Sequence, residues 1–319
     1  MNKSLIYIDT DLSLGTPGAE IDDGAALLML LRSPEVEVAG IGSIFGNVPV
    51  KDATRNLARL LDMLGRSDIP LAQGAAGPLE GDMGWFAEWQ AGYGATLPFT
   101  YNKPRESAAD MLVRLAHAYP GQLNVIAIGP STNLALALEK DPDIAFKVKQ
   151  VVAMGGSFGS QPQEPEFNVH CDPAAARRIC AADWPLTLLG LEITRQAAFS
   201  RAQFAALPES DPAASLLRQQ AAGWIDRVEA MGWEKDGCSL HDAAAAAYLL
   251  QADLFHSVPA EVEISDGSRL PIGTTLVNPV PRSQGSNTRV VTTVKARQCK
   301  ELIWSFIDPS FSFQEEARA

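Results

Sequence analysis

Asp9, Asp11, Asp22 and Asp23 fall within fifteen residues of one another, in the stretch IYIDTDLSLGTPGAEIDDGAALLML that runs from residue 6 to residue 30 between two apolar runs. Any one of them reads most simply as a helix cap or first-turn acid, meeting the free N–H groups and positive end of a helix. Four together repel one another unless a cation lies among them. Hard carboxylate oxygens on a loop are the ligands that Ca²⁺ or Mg²⁺ takes, so the pattern points to a divalent ion. Other residues able to do chemistry recur along the chain: Gly46 and Asn47, IGPSTN at 128 to 133, MGG at 154 to 156, PEFNVHCDP at 165 to 173, and His241 with Asp242. Taken singly, Asn47 reads as a turn residue, Met154 as core filling and Glu166 as a solvated surface charge. Their shared placement beyond strand ends is what groups them. Among four histidines, His241 alone stands at a helix start beside a carboxylate, where a proton donor is useful. His117 and His256 read as surface or packing residues, and His170, in strand-like FNVHC, as packing or local hydrogen bonding.

Strand ends need strands, and the chain supplies them in alternation with helices. Leu5 to Ile8 reads as a strand, a helix from near Ile21 stops at Ser33 and Pro34, and VEVAGIGSI is the next strand. A helix in KDATRNLARLLDMLG, a strand around IPLAQG, a helix from Ala108 to Ala118, strand LNVIAIG, helix PSTNLALALEK and strand VKQVVAMGG follow. PAAARRICAA is then a helix and PLTLLGL a strand. This alternation predicts an α/β protein with an open, mostly parallel, Rossmann-like sheet flanked by helices, and ligands beyond the carboxyl ends of its strands. Residues 77 to 105 form a long Gly-, Trp- and Tyr-rich connection expected to border a site. A helix from Ala213 to Met231 carries Trp224, with Trp233 just beyond; EVEI and TRVVTTVKA read as late or edge strands, and KELIWSFI as a last helix. No linker or repeat divides the chain, so one domain over residues 1 to 319 is expected.

Composition narrows the partners. With 26 Lys and Arg against 38 Asp and Glu, the net charge of −12 offers no basic field for nucleic acid. The longest apolar runs fall well short of the roughly 20 residues that span a bilayer. LIYI before Asp9 is too short for a signal-peptide core, and Cys171, Cys180, Cys238 and Cys299 form no CxxC pair, so a cytoplasmic protein with reduced thiols is expected.

Several blocks, in one order, resemble the inosine-uridine nucleoside hydrolase family, Ca²⁺ enzymes that cut the N-glycosidic bond of nucleosides to free base and ribose. The family signature DxDxGxDD is similar to DTDLSLGTPGAEIDD, and GPSTNLALAL, VVAMGG, EFNVHCDPAAA and HDAAAAAYLL match later blocks, from Ile6 to about Ile307. The resemblance implies the nucleoside hydrolase fold and a homodimer or homotetramer. It implies that Asp11, Asp23, Asp242 and the backbone carbonyl of Ile128 bind Ca²⁺, and that Asp22, Asn47, Met154, Glu166, Phe167 and Asn168 bind the substrate around its ribose. Asp11 would also be the general base on a water at the ion, His241 would give a proton to the leaving base, and Asp9 would support the metal ligands from behind.

Three departures stand out. Seven extra residues lie between Asp11 and Asp22, and their Ser, Gly, Thr and Pro predict an outward, protruding loop. Ser160 or Gln161 stands where the family usually carries an Asn for the 5′-hydroxyl. Tyr93 and Gly94 replace a His-Gly pair found near the base in some members; Tyr93 reads either as a base contact or as a packed loop aromatic. Trp224 or Trp233 reads as part of the base pocket or as core packing. Two other functions fit parts of the sequence. IYIDTDLS also resembles the opening motif of haloacid-dehalogenase-like phosphatases, with Asp9 as nucleophile and Asp11 as acid and base on Mg²⁺. A ribose- or nucleoside-binding protein that keeps the Ca²⁺ site without turnover is the non-enzyme alternative.

Overall fold

In the run SLIYIDT, Ile6 and Ile8 face one layer of helices and Tyr7 the other, the two-residue alternation of a strand buried on both faces. This strand, β1 (Ser4–Thr10), lies inside a sheet seen in a computed structural model that describes residues 3–159, 165–280 and 286–308. Ser160 and Gln161 lie outside the described residues. β2 (Val36–Ser43) and β3 (Leu71–Gln73) extend the sheet on one side of β1; β4 (Asn124–Ala127), β5 (Gln150–Met154) and β6 (Leu186–Leu189) extend it on the other. β7 (Ala198–Ser200) and β8 (Gly237–Ser239) pair separately, while β9 (Phe255–Ile264), β10 (Thr275–Pro279) and β11 (Thr288–Val294) complete the order β10-β9-β11-β6-β5-β4-β1-β2-β3. Within this nine-stranded sheet pairing is parallel from β3 through β11 and antiparallel where β9 meets β11 and β10; β7 and β8 also pair antiparallel. Chain order reverses between β1 and β4. The carboxyl end of β1 therefore opens on the topological switch point, where such sheets leave a crevice.

The helices are α1 (Asp22–Arg32), α2 (Val50–Met63), α3 (Phe86–Trp89), α4 (Ala108–Ala118), α5 (Thr132–Lys140), α6 (Phe167–Cys171), α7 (Pro173–Cys180), α8 (Leu191–Thr194), α9 (Arg201–Ala205), α10 (Pro212–Ala230), α11 (His241–Leu250) and α12 (Ala296–Ile307). α1, α10, α11 and α12 cover the Ile6 and Ile8 face; α4, α5 and α7 cover the Tyr7 face. In α11, Ala243 to Ala247 are all buried, because only small side chains let a helix be surrounded on every side. Among the described residues no helix is long and apolar enough to cross a membrane.

Several local expectations are corrected. FNVHC is the short helix α6: Glu166 caps it, accepting from the N–H groups of Asn168 and Val169, and this capping overrides the β-branched and aromatic appearance of the segment. His170 accordingly lies exposed on that helix, its ring 5.1 Å from that of Trp85. TRVVTTV and EVEI are late strands as expected, in β11 and β9, but interior ones paired on both sides; the edges of the sheet are β10 and β3. The inserted loop between Asp11 and Asp22 folds inward, because its apolar residues Leu12, Leu14, Ala19 and Ile21 are buried in the body. Gly15 makes this possible: its φ is +126°, and a Cβ there would meet Asn56 Oδ1 at 2.3 Å. The loop's backbone joins the rim segment, residues 77 to 105, and α10, with Gly94 N–H donating to Pro17 O and Leu97 N–H to Gly15 O, both 2.8 Å, and Gly15 N–H to Gln220 Oε1 at 2.8 Å. Trp224, 2% exposed, belongs to the core, whereas Trp233 is 57% exposed.

Candidate active site and metal centre

Asp9 and Asp11 follow one another along the end of β1 but point to different work. Asp9 is enclosed: Tyr7 Oη donates to its Oδ2 at 2.8 Å, and Asn133 Nδ2 donates to both its oxygens at 3.2 and 3.0 Å. Burial still pushes its carboxyl up to about 7 against those bonds. A carboxylate so enclosed cannot reach a substrate as a nucleophile, which leaves the phosphatase reading without support. Asp11 sits beside the crevice. Its Oδ2 accepts from Asn47 N–H at 2.6 Å, and Oδ1 is buried without a hydrogen-bond partner. Gly46 and Gly129 make room for it, since a Cβ on Gly46 would stand 2.0 Å from Oδ2 and one on Gly129 2.9 Å from Oδ1. Ile128, immediately past β4, donates its backbone N–H to Asp9 O at 2.8 Å.

Asp22 and Asp23 open α1, yet Ile21 is the residue at the helix cap and makes no side-chain cap bond. Their oxygens turn to other partners. Asp22 accepts from the N–H of Asp23 at 3.0 Å and of Asp242 at 3.3 Å; Asp23 accepts from Thr10 Oγ1 and, at 3.4 Å, from Asn47 Nδ2. Asp242, at the start of α11, completes a trio: ligand oxygens of Asp22, Asp23 and Asp242 lie within 4.8 Å of one another, all three residues buried. Asp22, expected on the ribose, thus lies in one carboxylate group with Asp23 and Asp242, and the charge of Asp11 acts on Asp23 and Asp242. Burial drives these carboxyls upward, Asp11 to about 8 and Asp22 to about 6. Burial, with the charges of neighbouring aspartates, also raises Asp23 and Asp242. Such a cluster is stable as carboxylates only around a cation, and the buried Oδ1 atoms of Asp11 and Asn47 have no hydrogen-bond partner among the described residues. The residues fit a divalent metal ion.

Glu166 ends the segment after β5, 3% exposed rather than solvated. It accepts from the N–H groups of Asn168, Val169 and Gly156 at 2.8, 3.1 and 3.1 Å, and burial pushes it up to about 7 against them. Asn168 Nδ2 donates to Met154 O at 3.3 Å, so Met154, Glu166 and Asn168 form one wall. Phe167 turns outward, its ring 4.5 Å from that of Trp89 in the rim segment, and Trp89 in turn lies 6.0 Å from Trp233. Tyr93 Oη is buried without a partner beneath Arg227, whose guanidinium lies 4.9 Å from its ring. His241, next to Asp242 at the start of α11, has its Nδ1 2.8 Å from Thr194 Oγ1; burial holds its ring down to about 4, hence neutral.

The sequence assigned no individual role to four contributors. Asn133, Thr10 and Thr194 are ordinary side chains whose partners lie 124, 13 and 47 positions away, beyond the reach of any local pattern. Glu20 could have been found, as an acid two places before Asp22. Burial and then the charges of Asp22, Asp23 and Asp11 push its carboxyl well above the ordinary range.

A parallel α/β sheet whose switch point gathers buried carboxylates with a neutral histidine beside them defines a metal-binding enzyme of the open α/β class. Comparison with known proteins names the family. Residues 6–301 match the inosine-uridine preferring nucleoside hydrolase family, and the chain belongs to it. It is 32% identical to uridine nucleosidase 1 of Arabidopsis thaliana over 88% of this chain and 84% of that one. It is 32% identical to a pyrimidine-specific ribonucleoside hydrolase of Enterobacter sp. (strain 638) over 81% and 84% of the two chains. A solved plant nucleoside hydrolase superposes with a TM-score of 0.80 at 26% identity, covering 95% of this chain and 98% of that one. The protein is a hydrolase of N-glycosyl compounds, and neither the phosphatase nor the non-catalytic binding alternative finds support.

Proposed function

We propose that the protein cleaves uridine and related ribonucleosides with calcium as its metal. Asp11, Asp23, Asp242 and the Ile128 carbonyl would hold the ion, and Asp22, Asn47, Met154, Glu166, Phe167 and Asn168 would hold the sugar. The observation that carries this reading is the convergence of Asp22, Asp23 and Asp242 beside the unpartnered Oδ1 of Asp11. Calcium suits an all-oxygen site and, when bound, supplies the positive charge that orients water and sugar hydroxyls.

The chain's own residues supply the rest. Asp11 Oδ1, bare and facing the cluster, takes the proton of the attacking water while Asn47 N–H holds Oδ2 in place. As the bond from C1′ to the base nitrogen breaks, oxocarbenium-like charge grows on the ribose, and the carboxylates of Asp22 and Glu166 stabilise it more than they do the neutral sugar. His241 meets the departing base, which is a poor leaving group without a donated proton. Uridine is the first substrate to try, because relatives named for uridine and pyrimidine nucleosides are similar to this chain over most of its length.

Incubation with uridine should release reducing sugar with calcium and none after chelation. Phosphate release from phosphate esters with Mg²⁺, and no sugar, would overturn the proposal. His241→Ala is expected to slow uridine roughly 10²-fold while leaving a nitrophenyl riboside, whose leaving group needs no proton, within about threefold. Equal slowing of both would remove His241 from that role.

A further inference from the structure

The His241 ring is held at Nδ1 by one group, the hydroxyl of Thr194, at 2.8 Å. Thr194 is fully buried at the end of α8, and its N–H is bonded to Gly190 O at 3.1 Å. That short helix is itself fixed: a Cβ on Gly190 would fall 2.5 Å from the Phe158 ring, so the backbone there packs directly on an aromatic face. His241 is mounted on α11, anchored by five buried alanines. Two rigid elements separated by 47 positions thus meet at a single hydrogen bond.

The hydroxyl has one proton and two acceptors in reach, Nδ1 at 2.8 Å and the Gly190 carbonyl at 3.3 Å. Donation to the Gly190 carbonyl would leave the hydroxyl to accept from an Nδ1–H, so the direction of the 2.8 Å bond fixes the ring's tautomer. A neutral imidazole carries one N–H, so if Nδ1 accepts from Thr194, the hydrogen is on Nε2. We infer that Thr194 is a positioning residue for base departure, donating to Nδ1 so that His241 presents an Nε2–H toward the leaving base. The inference rests on the assignment of His241 to the leaving base made above. In the opposite tautomer Nε2 would present a lone pair to a nitrogen that is gaining negative charge, which opposes departure.

The test uses Thr194→Val, which keeps the shape and removes the hydroxyl, Thr194→Ser, which restores it, and Thr194→Ala as a second deletion should the valine variant fail to fold. Thr194→Val is expected to lower kcat on uridine about tenfold or more, with KM and nitrophenyl riboside turnover little changed, and Thr194→Ser to recover most of it. Added to His241→Ala, Thr194→Val should slow uridine no further. Nitrogen-15 shifts of the His241 ring should report the Nε2–H form in the parent and its loss in Thr194→Val. Equal slowing of both substrates, failure of serine to rescue, an additive double variant, or an Nδ1–H ring in the parent would overturn the inference. If His241→Ala shows the leaving-group split and Thr194→Val does not, only the Thr194 role falls; if His241→Ala shows no split, both fall.

Discussion

Asp11→Ala abolishes turnover: kcat on uridine is expected to drop on the order of 10³-fold or more at saturating calcium, the range a positioned general base contributes. The geometry explains why no neighbour can replace it. Asp9, two residues earlier, is closed off by Tyr7 and Asn133, and Asp22 and Asp23 are engaged with backbone and side-chain donors. Of these four aspartates, Asp11 alone has a buried oxygen with no hydrogen-bond partner among the described residues. The variant should also need more calcium, since a carboxylate at the edge of the cluster is lost. Its metal-free fold should melt at or above the parent's temperature, because the alanine relieves repulsion among buried acids whose own desolvation is already unfavourable. Turnover within tenfold of the parent would show that another group activates the water. A large fall in melting temperature would mean that structural damage, and not loss of the base, stopped the reaction.

Calcium should stabilise the protein more at pH 8 than at pH 5. Asp9, Asp11, Asp22 and Glu166 are pushed by burial to about 7, 8, 6 and 7, above the range of carboxyls in an unfolded chain. The metal-free folded state therefore binds more protons than the unfolded one between about pH 4 and 8, and its stability declines as pH rises through that window. An ion among the carboxylates offsets the repulsion where they are ionised and competes with protons where they are not. At a hundredfold excess over its dissociation constant, calcium adds about 2.7 kcal/mol, or on the order of 5 °C for a chain of this size, at pH 8. At pH 5 the gain should nearly vanish. Thermal melts with calcium and with chelator at both values decide it: a gain that is absent at pH 8, or that grows toward pH 5, contradicts a cation site built from these carboxylates.

Much of the architecture is local, and so could be read from residues alone. The apolar alternation of β1, the stop at Ser33 and Pro34 after α1, and the recurring strand and helix lengths reflect periodicity and backbone chemistry that act within a few residues. They imply a parallel sheet, and with it the rule that polar strand ends share a crevice. Capping was the weak point within this local range: the carboxylate of Glu166 turned FNVHC into a helix despite its strand-like composition.

What the chain alone determined about this protein is a set of acids and a histidine at the ends of buried strands in an open α/β sheet, since burial and period are written in side-chain type. What only the tertiary structure decided is which of them meet. Asp242 reaches Asp22 across 220 positions, Thr194 reaches His241 across 47, and Asn133 reaches Asp9 across 124, because strand order and helix packing, not sequence distance, set those separations. The inserted loop turned inward for the same reason: its leucines found a core that no local pattern could announce.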